Sequence, residues 1–478
     1  MHRRKTTATR DHCRMWSPTD LWQTCTVATD VQWATHGPPA ALAWRQRQRL
    51  EALMRAAQRS AFYRERFARH GPRFEDQPPV AKPELMARFA DWVCDPVLQL
   101  DALRTFVADP ARIGEAFAGR YTVWESSGSS GVPGLFVQDA QAMAVYDALE
   151  ALRRPQPWQR WLDPGRFAFV GATGGHFAST VNVERLRRQV PALAERLRGF
   201  SFLQPTAALV EALNRWQPQA LATYPSAAVL LAEEQAVGRL RLALREVWTG
   251  GEALGRAARG FIERSFGAPV RASYGASEFL ALAAECGQRQ LHLNSDWVLL
   301  EPCDAHGRPV PPGHAGCRTL LTNLANHVQP LIRYELGDRV HVDPAPCACG
   351  SPLPVIEVQG RVDDALLLQT TAGRTVRLPP LALTTVLEDE AGVFDFQLVQ
   401  RGPRTLHLNV GDADALAPAR DALRGYLRQQ GLGGLRLHCA CGPPEVRSRS
   451  GKLPRVVCAL PPATDLAQDH GRRRASRP

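Results

Sequence analysis

A chain of 478 residues, 45% apolar and 22% charged, can bury a large core and suits one very large domain or two unequal ones. No apolar run is long enough to span a membrane, and the start, His2-Arg3-Arg4-Lys5, lacks the apolar stretch of a secretory signal. The net charge of +11 is carried by scattered arginine, with no basic helix and no basic patch interleaved with aromatics, which argues against a nucleic-acid partner and favours small anionic substrates. Eleven cysteines without a signal peptide point to a reducing, cytoplasmic setting and to thiols or metal rather than disulfides.

Residues 1–36 are polar and Thr-rich without a clear period, which reads as a disordered extension or a misassigned start. Residues 40–70 carry helical spacing, and Pro83 is placed to open the next helix at its first position. Tyr121-Thr122-Val123-Trp124 and Leu135-Phe136-Val137 read as strands flanking a loop, Ser126-Ser127-Gly128-Ser129-Ser130-Gly131. Glycines there admit positive φ, and hydroxyls and free amides in one concavity suit phosphate oxygens. The loop is not a P-loop, because no Gly-Lys-Ser/Thr follows. A helix is expected near 139–153.

Three later segments read as strands ending in turns: Phe167–Val170 before Gly174-Gly175-His176, Ala220–Thr223 before Tyr224-Pro225-Ser226, and Glu246–Thr249 before Gly250-Gly251-Glu252. Pro269–Glu278, with Tyr274-Gly275-Ala276-Ser277-Glu278, reads as a further strand-to-helix turn. Such alternation predicts an α/β fold: a large multi-layer amino-terminal domain (37–360) with mostly parallel sheets. In such sheets ligands bind at the carboxyl ends of strands, where these turns lie. Short strands follow from 293, and residues 361–460 read as a small α+β domain. There 394–399 and 405–410 alternate like strands, and 415–430 carry helical spacing. Residues 461–478 read as a basic disordered tail.

Five stretches stand in one order: the Ser/Gly loop, Tyr274–Glu278, Arg333–Asp338, Gly360-Arg361-Val362-Asp363-Asp364 and Ser450-Gly451-Lys452. Together they resemble the adenylate-forming superfamily of acyl-CoA synthetases and adenylation domains, over roughly residues 75–460. Within it, Cys286…His292, Cys347-Ala348-Cys349-Gly350 and Leu331-Ile332-Arg333-Tyr334 resemble the phenylacetate–coenzyme A ligase branch.

The resemblance implies an ATP- and Mg²⁺-dependent, AMP-forming ligase that activates a carboxylic acid, aromatic by the character of the pocket. It would pass the acyl group to the thiol of coenzyme A or of a carrier-protein phosphopantetheine. Ser126–Gly131 would cradle phosphates, with Gly251 and Glu252 nearby. Tyr274 and Gly275 would meet adenine, Ser277 the α-phosphate, and Asp338 the ribose hydroxyls. Glu278 would hold Mg²⁺, Arg361 would contact the nucleotide and Asp363 would be the hinge. Lys452 would bridge carboxylate and α-phosphate. His176, Tyr224, Trp248 and Gly250 would line the acyl pocket. The family usually carries lysine where this chain has Val132, which puts pyrophosphate handling in question. Transfer to an amine or hydroxyl, or a catalytically silent nucleotide- or zinc-binding homologue, are the alternatives. Oligomeric state is left open, a dimer included.

Lysine is itself informative. The chain has only Lys5, Lys82 and Lys452, so a lysine retained in a Ser-Gly-Lys loop suggests that a compact ammonium is wanted there. The cysteines form a second constellation. Five residues separate Cys286 from His292, and one alanine separates Cys347 from Cys349. Two such pairs suit a closed tetrahedral zinc site that pins two loops and takes no part in chemistry. Free buried thiols are the alternative. His438-Cys439-Ala440-Cys441 reads as a strand end without metal.

Overall fold

The computed structural model describes residues 18–126, 134–155, 165–202, 204–304, 306–314, 316–361, 366–378, 380–444 and 454–459. The described residues divide into two compact units, those within 18–254 and 259–358 in the first and those within 255–258, 359–444 and 454–459 in the second. The main division falls between Val358 and Gln359.

The first unit is built on a nine-stranded sheet. Its parallel half contains β3 (Phe167–Gly171), β4 (Leu197–Ser201), β5 (Ala220–Thr223), β6 (Glu246–Thr249) and β7 (Val270–Ala276) in the order β4-β3-β5-β6-β7. Helices Ala178–Gln189, Thr206–Trp216, Pro225–Ala236 and Arg256–Phe266 connect these strands. The register aligns Val170 with Thr223, Thr223 with Thr249 and Thr249 with Ala272, so the turns after β3, β5 and β6 share one edge.

The sheet continues antiparallel. β8 (Phe279–Glu285) pairs with β7, then come β9 (Leu291–Leu293), β14 (Val355–Arg361) and β13 (Asp338–Asp343). Pro269–Glu278 was expected to turn from strand to helix; instead it turns back as a hairpin. At its bulge, a Cβ on Gly275 would lie 2.1 Å from the Leu280 carbonyl oxygen, so only glycine fits this backbone approach.

Two smaller sheets complete the unit. β1 (Thr122–Glu125) pairs antiparallel with β2 (Leu135–Gln138), as the strands flanking the Ser/Gly loop require. β10 (Val298–Cys303), β11 (Arg318–Asn323) and β12 (Tyr334–Leu336) form the other. The main core draws on both regions, with Trp92, Trp124, Tyr146 and Phe279 fully buried in one cluster.

The amino-terminal reading needs correction. Pro18–His36 is a helix, with Val31 and Ala34 buried, and Pro39–Ala57 and Ala61–His70 follow it. An ion-pair network secures it: Asp30 pairs with Arg45 and Arg49, and Arg49 and Arg153 both reach the buried carboxylate of Asp296. Arg49 also stacks on Trp297, 3.3 Å from the ring centroid. A buried carboxylate demands such partners.

The second unit contains β15 (Leu366–Gln369) paired with β16 (Thr375–Leu378), and a four-stranded sheet of order β19-β18-β17-β20. Its strands are β17 (Phe396–Gly402), β18 (Thr405–Val410), β19 (Arg436–Cys441) and β20 (Val456–Cys458). Helix Ala413–Gln429 buries Ala419, Leu423 and Leu427 in the same core as Leu398, Leu406 and Leu408. This is the small α+β arrangement expected, and its helix carries Arg420, Arg424 and Arg428 together with Asp414 and Asp421.

Among the described residues no helix is long and apolar enough to cross a membrane.

Candidate active site

The Ser/Gly loop is closed at its neck. Ser126 donates its amide to the Gly134 carbonyl at 2.8 Å, and its hydroxyl accepts the Gly134 amide at 2.8 Å. Ser127, Gly128, Ser129, Ser130, Gly131 and Val132 lie outside the described residues, as do Asp363 and Lys452. Arg361 is the last residue of β14.

Two contacts fasten this hairpin to motifs distant in sequence. The Trp124 indole donates to the Ser277 carbonyl at 2.8 Å, which joins β1 to the Tyr274–Glu278 hairpin. The Glu125 amide donates to the His176 carbonyl at 2.8 Å, which joins β1 to the turn after β3. Three predicted site segments are thereby held at one place by hydrogen bonds to main-chain carbonyls.

Tyr274 donates its hydroxyl to Asp338 Oδ2 at 2.7 Å, linking β7 to the start of β13. Glu278 is buried, and burial raises its carboxyl above the ordinary range. Tyr334 opposes this by donating its hydroxyl to Glu278 Oε1 at 2.7 Å, and the charge of Lys82 acts in the same direction. The backbone of Glu278 is held as well, since Asn323 Nδ2 donates to its carbonyl at 3.0 Å.

Tyr334 and Lys82 were not singled out as site residues from sequence. Tyr334 follows Arg333, whose φ of +51° is unusual for a residue with a side chain. Arg333 is fixed there by hydrogen bonds to Gln77 O, Gly307 O and Glu301 Oε2, and by its amide to Thr322 Oγ1. That conformation delivers Tyr334 to Glu278. Lys82 opens helix Lys82–Ala87 with Pro83 in its first turn, as expected. Its Cδ lies 3.1 Å from where a Gly134 Cβ would be, at the neck of the Ser/Gly loop. Its rarity in the chain was the available signal.

The sheet edge gathers the expected acyl-pocket residues. Tyr224 caps helix Pro225–Ala236, with its ring edge-on to Phe202 at 5.6 Å. Trp248 is buried and the Arg154 guanidinium lies over it, 4.0 Å from the ring centroid. A Cβ on Gly250 would meet Ser273 Oγ at 2.9 Å. Glu252 Oε2 accepts the Ser226 amide at 3.0 Å and so caps the same helix, beside Gly251 at φ +78°. His176 is buried under this edge, its ring 5.4 Å from Phe106. Burial lowers its basicity, against the opposing pull of the Arg112 and Val107 backbone.

The metal-binding candidates also converge. Cys286, His292, Cys347 and Cys349 place their ligand atoms within 4.8 Å of one another, although they come from the β8–β9 turn, β9 and the β13–β14 loop. Cys286 Sγ lies 3.8 Å from Cys347 Sγ, and Cys349 Sγ 3.3 Å from His292 Nε2. Tetrahedral zinc with Zn–S near ~2.3 Å separates two thiolates by about 3.8 Å, so the donor set fits. His292 Nδ1 lies 2.8 Å from the Leu353 carbonyl, which would leave Nε2 for the metal. The Gln288 amide donates to Cys286 Sγ at 3.3 Å.

No family profile matches this chain, and no curated protein does. Solved structures do. The 2-hydroxyisobutyryl-CoA ligase in its postadenylation state with 2-HIB-AMP superposes with a TM-score of 0.64 at 22% identity, covering 98% of this chain and 97% of that one. An open conformation of that ligase with 2-HIB-AMP and CoA gives 0.56 at 22% identity, over 95% and 97% of the two chains. The anthranilate CoA ligase AuaEII with anthranoyl-AMP gives 0.50 at 16% identity, over 69% and 64%. The chain therefore has the two-domain fold of the adenylate-forming CoA ligases.

Proposed function

We propose that this protein is an ATP-dependent, AMP-forming carboxylate ligase that works in two steps. In the first, a carboxylate oxygen attacks the α-phosphorus of ATP, and the bond to the β-phosphate oxygen breaks with pyrophosphate leaving. In the second, a thiolate sulfur attacks the acyl carbonyl, and AMP leaves with the electron pair of the carbon–oxygen bond. The observation that carries the reading is the joining of the Ser/Gly hairpin to the Tyr274–Glu278 hairpin through Trp124 and Ser277, beside the Tyr274–Asp338 bond.

Bringing two anions together demands positive charge and fixed donors. The neck of the loop at Ser126 and Gly134 would position the phosphates, with Lys82 supplying a cation at the same point despite Val132. Ser277 would face the α-phosphate, while Tyr274 and Asp338 would take adenine and ribose. Gly251 and Glu252 would flank them. Glu278, whose ionised form lacks solvent, is suited to a magnesium ion that would neutralise phosphate charge. Lys452 and Arg361 would act on the nucleotide and carboxylate, with Asp363 as hinge.

The acid is proposed to be aromatic, because Tyr224 and Trp248 offer flat apolar walls at the sheet edge. The acceptor is a thiol of coenzyme A or of protein-bound phosphopantetheine. Cys286, His292, Cys347 and Cys349 would hold zinc as a structural clamp between two loops, outside the chemistry.

Pyrophosphate release over a panel of aryl and alkyl acids tests the first step. Release that rises with one class of acid supports the reading; none with any acid overturns it. Adding coenzyme A, a holo carrier protein, an amine or an alcohol then separates the acceptors.

A further inference from the structure

Two of the four candidate zinc ligands open tight turns of the same form. The Cys286 carbonyl accepts the Arg289 amide at 3.0 Å, and the Cys347 carbonyl accepts the Gly350 amide at 3.1 Å. Each turn closes on a residue of positive φ, +60° at Arg289 and +79° at Gly350. The first turn joins β8 to β9 and is drawn tighter by the Cys286 amide, which donates to the Gln290 carbonyl at 2.9 Å. The backbone therefore fixes where each of these two sulfurs starts.

Within the cluster the donor atoms fall into two pairs. Cys286 Sγ lies 3.8 Å from Cys347 Sγ, although the two residues are 61 positions apart, and Cys349 Sγ lies 3.3 Å from His292 Nε2. Cys286 and Cys347 are half-buried and Cys349 is exposed, so a small solute reaches the sulfurs from outside. His292 is buried and held from behind by the Leu353 carbonyl.

We infer that this cluster is a site of reversible thiol oxidation, at which a peroxide exchanges zinc for a disulfide between Cys286 and Cys347. The zinc half rests on the clamp reading above; the disulfide half rests on the sulfur contact alone. One thiolate of the pair attacks a peroxide oxygen, the O–O bond breaks, and a sulfenic acid forms while hydroxide leaves and is protonated to water. The second thiolate attacks that sulfur, the S–O bond breaks, and a second hydroxide leaves and is protonated. Two thiolates, one hydrogen peroxide and two protons thus give one disulfide and two waters, with two electrons passing from sulfur to oxygen. Disulfide sulfurs are no longer thiolate ligands, so the metal is left with Cys349 and His292, half of a tetrahedral set, and is released. The new bond ties the same two loops, so the fastening outlasts the metal. Cys349 stays a thiol against the imidazole.

The test is titration of the purified full chain with hydrogen peroxide, and none of its readouts depends on the ligase reading. A chromogenic chelator should report release of about one zinc per chain. Non-reducing peptide mapping should find Cys286 joined to Cys347, and a dithiol should undo the bond. Cys349→Ser should still form it. The oxidised parent should unfold within a few degrees of the zinc form, whereas Cys286→Ser, which can make neither fastening in full, should unfold lower with or without peroxide. Zinc retained with all thiols reduced, a bond within Cys347-Ala348-Cys349, or a sulfinic acid on Cys349 with no bond between the loops would each overturn the inference. Protein that carries no zinc yet forms the Cys286–Cys347 bond would sink the clamp reading and support the oxidation site.

Discussion

The hydroxyl of Tyr334 lies 2.7 Å from Glu278 Oε1, joining a carboxyl buried behind the Tyr274–Glu278 hairpin to a residue placed by the left-handed backbone of Arg333. Burial pushes that carboxyl up, so the folded chain holds the Glu278 proton more tightly than the unfolded chain does. The stability this contributes is fully present below the ordinary carboxylate range and is lost as pH rises.

Glu278→Gln should therefore stabilise the free protein more at pH 8 than at pH 5, while stopping adenylation. Thermal unfolding at the two pH values checks this. A variant less stable than the parent at pH 8 would mean that Glu278 is not an isolated buried acid. Tyr334→Phe removes the donor, so it should raise the apparent pKa of any carboxylate-dependent step in the pH–rate profile.

Cys347→Ser should lower the unfolding temperature while leaving turnover per folded molecule near that of the parent. Elemental analysis of protein purified without added metal should find about one zinc per chain. Less than about 0.2 per chain would argue for free thiols at all four positions.

The buried carboxylate of Asp296 is shared by Arg49 and Arg153. Asp296→Asn leaves the buried Arg153 guanidinium without its counter-charge and Arg49 with Asp30 alone, and breaking such a buried pair costs about 3–5 kcal/mol. Urea unfolding should show the loss, and limited proteolysis should show cleavage near residues 18–36 before the rest of the chain.

Much of this was legible in the sequence because it depends on local pattern. Pro225 after a β-rich run, Pro83 at a helix start and the glycines near residue 250 each act within a few residues of themselves. The partners of those residues were not legible. Nothing near Glu278 announces Tyr334, which is 56 residues away and aimed by a backbone conformation that arginine rarely adopts. Helix Pro18–His36 was missed because polar pairing holds it as much as an apolar stripe does. The hairpin at Gly275 was read as a strand-to-helix turn because its alternation continues one residue off register through a bulge. The cysteines fared better as candidates, since thiols and imidazole in two short segments suggest a ligand set before any distance is known.

Lys452→Ala should reduce adenylation by a factor on the order of 10² to 10⁴, the usual scale for losing one preorganised electrostatic group. Thioester formation from a supplied acyl-adenylate should stay near the parent rate if the small domain turns away after the first step. Lys452→Arg should not rescue, because a planar fork is a poor substitute for a point charge between two oxygens. Single-turnover assays of the two half-reactions check this. Equal loss in both would remove Lys452 from the role proposed.

The central claim is that a carboxylic acid passes through an adenylate on this protein. The direct measurement is mass spectrometry of the quenched mixture of protein, ATP, magnesium and an activating acid, with no thiol present. The account predicts an acyl-AMP bound in proportion to the protein, which disappears as thioester and free AMP form when a thiol acceptor is added. Hydrolysis of ATP to ADP, or a thioester that appears without any acyl-AMP before it, would contradict the account.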